Sequence, residues 1–359
     1  MKFVYGILAL SVLVFLHELG HFIFAKIFHV DVEAFSIGFG PRLLHKTFRG
    51  TDYRVSLLPL GGYCAMKGEN DFQDAIENGT WKSVRDKHSL YGIHPLKRAA
   101  IGFAGPFANI VFAFVAFFFV ELIGYTYYTY SAKIKVLDDA SPAKIAGLQD
   151  GDVILKINKN EIADFSDIIE NIASHPNERA LVTIDRNNET LTFPIDIALN
   201  TKTGSGKIGI TNFSNEVIEK KIKSNSLFEA SKKSILQIGQ AFILTWKSIA
   251  LLFHGLDFKS ALSGPAGVAN ILGDAVQNES AIVIASIMAI ISLSLAIMNL
   301  LPIPILDGGL ILFALIETFT KRPINAKLQY YIQFVGLAFI LAIFALGVIS
   351  DIYHFLGKV

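Results

Sequence analysis

Phe15-Leu16-His17-Glu18-Leu19-Gly20-His21 sets two imidazoles and a carboxylate inside an apolar run, FVYGILALSVLVFLHELGHFIF, that extends from Phe3 to Phe24. At about 1.5 Å per residue the run is long enough to cross a bilayer as a helix. Ionisable groups at that depth are expensive, so they mark a functional site when partners for them can be named. Positions i and i+4 of an α-helix share a face, and His17 and His21 can therefore each aim a ring nitrogen at one metal ion. Glu18, one residue on from the first ligand, can take a proton from an attacking water. A chance H-E-x-x-H on a solvated helix is the bland alternative. It gives no reason to bury three polar side chains.

The spacing is the HExxH arrangement of zinc peptidases, in which the ion usually has three protein ligands and one open position. The rest of the chain must supply a third ligand. A span from about 281 to 301 ends in Asn299-Leu300-Leu301-Pro302-Ile303-Pro304-Ile305-Leu306-Asp307-Gly308-Gly309. Two prolines stop the helix and leave Asp307 in a glycine-rich break, and non-helical backbone at such depth is tolerated only within protein or along a watery cavity. Alone, Asp-Gly-Gly reads as a surface turn. Beside an unfinished His-His pair it reads as the oxygen ligand, and a His-His-carboxylate set fits zinc best.

The 359 residues are 52% hydrophobic, too apolar for an ordinary soluble protein and too polar to lie wholly in a membrane. The net charge of +1 favours neither nucleic acid nor a strongly acidic partner. Cys64, the single cysteine, excludes an internal disulfide and a cysteine-based zinc site, and reads as a small buried residue. The N-terminal run is long for a signal peptide and carries the HELGH residues, so residues 1–24 are expected to be retained as the first transmembrane helix.

Residues 25–98 form a loop whose basic residues (Lys26, Arg42, Lys46, Arg49, Arg54, Lys67, Lys82, Arg85, Lys87, Lys97 and Arg98) assign it to the cytoplasm. Within it Val32 to Leu44 and Tyr53 to Met66 read as membrane-associated strands or hairpins. Gly38 and Gly40 in GFGP, and Gly61 and Gly62 in PLGGY, allow close backbone approach. They fit ordinary turns, or equally an edge strand beside the metal that receives an extended peptide. The second span, 99–124, opens with GFAGPFAN. Gly102, Gly105 and Ala108 offer a small-residue packing face, and Asn109 needs a partner in lipid, either in plain helix packing or as a contributor to the site. Tyr125, Tyr127, Tyr128 and Tyr130 read as an aromatic belt.

Residues 125–213 turn soluble in character, and Ser141-Pro142-Ala143-Lys144-Ile145-Ala146-Gly147-Leu148-Gln149-Asp150-Gly151-Asp152-Val153-Ile154-Leu155-Lys156-Ile157-Asn158 resembles the SPAxxAGLxxGDxIxxIN signature of the PDZ module of bacterial envelope proteases. Phe165 to Ser174 would be its later helix, and Leu181 to Asp185 and Thr190 to Ile195 strands. Such a module binds extended peptide or serves as a spacer or filter. Residues 214–280 read as amphipathic membrane-surface helices, because Lys232, Lys233, Gln237, Gln240, Trp246 and Lys247 interrupt the apolar stretch 227–253. After the third span, 281–301, come the LDG loop and a basic cytoplasmic connection, 302–329, then a fourth span with the C-terminus, 330–359. The expected fold is an α-helical polytopic membrane protein of about four transmembrane helices, with a membrane-associated β-hairpin region and an inserted α+β PDZ domain.

Together these motifs resemble the site-2 protease family of intramembrane zinc metalloproteases, specifically its bacterial branch that regulates envelope-stress sigma factors. HELGH, the GFG and PLGGY hairpins, GPFAN, one PDZ module, LSGPAGVA and NLLPIPILDGG follow the family's order over nearly the whole chain. The resemblance implies His17, His21 and Asp307 as ligands of Zn2+, Glu18 as catalytic base, and Asn109 and Asn299 holding substrate or site geometry. It implies cleavage of single-span transmembrane substrates, such as an anti-sigma factor or a remnant signal peptide. It places the chain in the bacterial inner membrane, with the PDZ module extracytoplasmic and the active site towards the cytoplasm. The best-known members carry two PDZ modules, and one is found here. A metal transporter would have no use for Glu18 or a PDZ module, and a catalytically dead scaffold could lose Glu18 or Asp307, which are both present.

Overall fold

A computed structural model describes residues 2–69, 86–200, 204–213, 217–252 and 264–355. Lys82 and Arg85 of the basic loop and Leu262 and Ser263 of LSGPAGVA lie outside them. The chain divides into two compact units, Met1–Val120 with Ala230–Thr245 and Leu262–Val359, and Glu121–Glu229 with Trp246–Ala261.

The first unit opens with helix α1 (Lys2–Ile27), whose buried positions include Leu13, His17, Gly20, His21 and Ala25. Their three- and four-residue spacing puts the two histidines on the inward stripe of an otherwise apolar helix. Strands β1 (Val32–Phe48) and β2 (Thr51–Met66) follow, joined at Arg49 (φ 49°) and Gly50 (φ 80°). Two successive residues at positive φ are what a tight two-residue hairpin turn requires. The strands do not form a plain hairpin. Residues 34–37 of β1 have partners on two sides, 52–55 in the same sense and 62–65 in the opposite one, while 44–47 pair back on 52–55. Each long strand therefore folds over on itself. The folds fall at Gly38 and Gly40 (φ 88° each) and at Gly61 (φ 132°), a backbone region in which a Cβ is strained. Helix α2 (Pro95–Ile123) carries Pro106 in its interior.

In the second unit the chain runs through β3 (Tyr125–Tyr130), β4 (Ile134–Val136), α3 (Pro142–Ile145), β5 (Val153–Ile157), β6 (Asn160–Glu161) and α4 (Phe165–Ala173). It continues through β7 (Arg179–Arg186), β8 (Glu189–Asp196), β9 (Ala198–Leu199), β10 (Gly206–Lys207), β11 (Ile210–Asn212) and β12 (Val217–Ile222). The main sheet has the order β6-β5-β7-β8, and Leu148, Ile154, Ile168, Ile184 and Ile195 are fully buried in its core. Ser141 caps α3 by accepting from Lys144 N, so the Ser-Pro-Ala of the motif is a helix start. The tyrosine-rich stretch 125–130, expected as an interfacial belt, is strand β3, paired residue for residue with β12. Its tyrosine and threonine residues suit a strand, and the ribbon carries the β-rich unit beyond residue 213. Asp164 locks it: the fully buried carboxylate caps α4 through Ser166 N and Asp167 N, accepts from Tyr127 Oη, and pairs with Lys220 of β12.

The remaining elements are α5 (Leu227–Leu252), α6 (Pro265–Asn278), α7 (Ala281–Leu300), α8 (Asp307–Thr320) and α9 (Ala326–Phe355). Helix α6 packs closely on the start of α1, where a Cβ on Gly6 or Gly273 would overlap the backbone of Ala269 or Lys2. Among the described residues four helices are long and apolar enough to cross a membrane, within Lys2–Ile27, Pro95–Ile123, Ala281–Leu300 and Lys327–Ile352, and the described part of α5 is not among them. Where a loop was expected over 302–329, Asp307 instead opens a helix. The prolines end α7, and the chain reverses within six residues because Gly308 and Gly309 let it pass the carbonyls of Leu301 and Ile303.

Candidate metal centre

Three elements meet at the buried face of α1. His17 Nε2 lies 3.1 Å from Asp307 Oδ2, His21 Nε2 lies 3.3 Å from Asp307 Oδ1, and the two Nε2 atoms are 3.3 Å apart. Helical i, i+4 spacing supplies the histidine pair, and α8 delivers Asp307 in its first turn. These ligand atoms all fall within 4.8 Å of one another and form the only such cluster of three or more among the described residues. Atoms about 2.0–2.1 Å from one tetrahedral ion stand roughly 3.3 Å apart, a spacing that the two histidine nitrogens match while Asp307 sets one oxygen near each of them.

The hydrogen bonding fits as well. The Ile101 carbonyl can only accept, so His21 Nδ1–H donates to it at 2.8 Å and leaves Nε2 with its lone pair towards Asp307. Asn109 is fully buried on α2 with Nδ2 3.2 Å from His17 Nδ1. Among the described residues Asp307 Oδ2 and Asn109 Oδ1 are buried without a hydrogen-bond partner. Buried polar atoms without partners are costly. A cation against Asp307 answers the first. A half-turn of the amide, which lets Oδ1 accept from His17 Nδ1–H, answers the second.

Gly105 makes room for the imidazoles, since a Cβ there would lie 2.7 Å from His21 Cε1 and 2.8 Å from His17 Cε1. The sequence marks it only as one small residue of a packing face. Gly20 lets α1 approach Ala104 and Ala108, and Gly102 lies against Leu310, Ile311 and the Asp307 carbonyl of α8. The folded sheet runs beside α1: Ser11 donates to the Pro59 carbonyl, Val14 lies beside Gly61, and the Glu18 carboxyl meets the backbone of Cys64. Gly62 faces Glu18, whose Cγ is 3.8 Å from where a Gly62 Cβ would stand. Gly38, Gly40 and Gly61 shape the sheet rather than touch the histidines. Asn299 is half-buried in the last turn of α7, and among the described residues no hydrogen bond joins it to His17, His21 or Asp307.

A hydrophobic chain in which two histidines of a membrane-length helix meet a carboxylate from a second helix has the pattern of a membrane metallopeptidase. The chain belongs to peptidase family M50, the site-2 proteases, whose family model matches residues 5–343. A relative from Treponema pallidum is 33% identical, with 98% of each chain covered, and one from Campylobacter jejuni is 34% identical, covering 99% of this chain and 95% of the relative. A third, from Clostridium perfringens, is 32% identical with 98% of each covered, and all three bear the name "Putative zinc metalloprotease". The chain is thus a zinc metallopeptidase and an integral membrane protein. A solved HtrA3 PDZ domain bound to a phage-derived ligand is 18% identical over 27% of this chain and 91% of that chain, with a TM-score of 0.16, a likeness too slight to bear weight.

Proposed function

We propose that this metallopeptidase hydrolyses peptide bonds within or near the transmembrane segments of single-span membrane proteins, with His17, His21 and Asp307 holding zinc and Glu18 as general base. The convergence of His17 Nε2, His21 Nε2 and both Asp307 oxygens within 3.1–3.3 Å carries the reading. A zinc ion held there supplies Lewis acidity, polarising a peptide carbonyl and lowering the pKa of a water towards about 7. Glu18 takes the proton from the attacking water and returns it to the leaving amine. Ile101 and Asn109 orient the two imidazoles through their Nδ1 atoms.

A substrate helix hides its carbonyls in its own hydrogen bonds and must unwind before attack. Residues 62–65 form an outer segment of the sheet, paired on one side with 34–37 and adjoining Glu18 at Cys64. Pairing an unwound peptide along that segment replaces the backbone hydrogen bonds it gives up. Substrates with helix-weakening residues near the cut should then be preferred, and substituting good helix formers there should slow cleavage several-fold. Unchanged rates would remove this part of the proposal. The SPAKIAGLQDGDVILKIN segment and the β6-β5-β7-β8 sheet of the second unit support a PDZ module that receives extended peptide or filters bulky ectodomains. The basic residues of 25–98 support a site facing the cytoplasm, with the module on the opposite side of the inner membrane.

The ligand assignment is tested by the zinc content of detergent-purified protein. His17→Ala, His21→Ala and Asp307→Ala should each lose stoichiometric zinc and cleavage of a tagged single-span substrate. Stoichiometric zinc in all three would show that the ion is held elsewhere.

A further inference from the structure

Arg98 and Glu317 are far apart in sequence and meet in the first unit, where an Arg98 Nη2–H donates to Glu317 Oε2. Arg98 sits in the first turn of α2 with its side chain only 4% exposed, and Glu317, in α8, is 22% exposed. The guanidinium carbon lies 5.0 Å from the centre of the Tyr91 ring, whose hydroxyl accepts from Gln329 Nε2 of α9 at 3.2 Å. Among the described residues Arg98 Nε is buried without a hydrogen-bond partner. A buried ion pair that leaves one donor unmet is a poor source of stability, because desolvation of both charges offsets their attraction. Its effect must be sought in what it fixes.

It fixes α8 against α2. Asp307 and Glu317 share α8, ten residues or about 15 Å apart along its axis. On α2, Arg98 precedes Gly102, which touches Leu310, Ile311 and the Asp307 carbonyl, and Gly105, on which the imidazoles rest. Helix α8 is thus held at two levels, by close packing at Gly102 and by a directional charge pair at Arg98. Close apolar packing alone allows a helix to slide or rotate by a fraction of a turn. Resting on the metal-site reading above, we infer that Arg98 and Glu317 are positioning residues that set the axial and rotational register of α8 and so keep the Asp307 carboxylate at the histidine pair.

The test replaces both partners, Arg98→Met with Glu317→Met, so that no lone charge is left buried and the protein still folds. Zinc transfer to a chelator and the ligand-field spectrum of cobalt-substituted protein are read beside circular dichroism. Wild type should hold one ion that depends on His17 and show an intense four-coordinate cobalt spectrum. The double variant should keep its helicity, release zinc about tenfold faster, in the range typical of lost supporting contacts around metal ligands, and show a changed cobalt spectrum. Zinc release and a cobalt spectrum equal to wild type would overturn the inference while leaving the metal site standing. Wild-type protein that holds no His17-dependent ion would overturn the site reading itself, and this inference with it. Should the double variant not fold, Glu317→Asp, which keeps the charge and withdraws it by one methylene, decides by the same two readouts.

Discussion

At Gly105 two effects oppose each other. Replacing a helical glycine with alanine ordinarily stabilises by roughly 0.5–1 kcal/mol. Here the new methyl would sit within 2.8 Å of carbon atoms of both imidazoles. Gly105→Ala should therefore lower zinc retention about tenfold or more, measured by chelator competition, whatever it does to helix stability. Retained zinc with raised thermal stability would show that the imidazoles do not depend on that gap. The candidates His17, Glu18 and His21 were legible because buried polar groups in an apolar run need a reason, and Asp307 because an unfinished histidine pair needs a third ligand. The role of Gly105 and the Ile101 carbonyl was not, since a glycine or a backbone oxygen carries no chemical signature until the fold brings a partner to it. Asn109 was legible as a buried amide in want of a partner; nothing in the sequence said that this partner is His17.

At the scale of elements, the folded sheet β1–β2 gives the clearest case. Glycine, aromatic and β-branched patterning marks strands over 32–44 and 53–66, but a strand that doubles back has the same local composition as one that runs straight. Only the pairing of 34–37 on both sides reveals the fold. Gly38 has φ 88° and a Cβ there would lie 2.7 Å from the Leu58 carbonyl oxygen. Gly38→Ala should cost about 1–3 kcal/mol locally, cutting cleavage while zinc content stays stoichiometric; loss of both together would mean that the sheet supports the ligands directly. Likewise, the helix opened by Asp307 was hidden by the glycines that favour loops, and β12 by the polar residues that surround it.

The Asp164–Lys220 lock in the second unit makes a prediction about pH. Burial pushes the Asp164 carboxyl up, but the Lys220 ammonium and the N–H groups of Asp167 and Ser166 outweigh it and hold it below the usual carboxylate range. Bonding to Asp164 raises Lys220 against the opposing cost of its own desolvation. A depressed carboxyl stabilises the fold above its ordinary pKa of about 4 and loses that contribution as pH falls through its folded value. A raised ammonium stabilises below about 10.4 and loses its share as pH rises through its folded value. Stability of this unit should thus be flat across neutral pH and fall at both ends, with both limbs weakened in Asp164→Asn. Hydrogen exchange of β3 and β12 amides reads it, and an unchanged profile in the variant would show that the lock contributes little.

For the molecule as a whole, the order of motifs along the chain was readable because each has its own local chemistry, whereas the Arg98–Glu317 pairing, across 219 positions, could not be. The two units should respond differently to metal removal. An ion bound only by the folded protein stabilises by mass action, so a chelator should lower the unfolding temperature of the unit containing His17 and Asp307 and leave that of the β-rich unit unchanged. The most direct test compares wild type with Glu18→Gln, measuring zinc content and cleavage of a tagged single-span substrate in the same preparations. Loss of a general base typically costs about 10²–10⁴ in rate, so Glu18→Gln should keep its zinc and lose at least a hundredfold in cleavage. A Glu18→Gln protein that cleaves as fast as wild type would contradict the account.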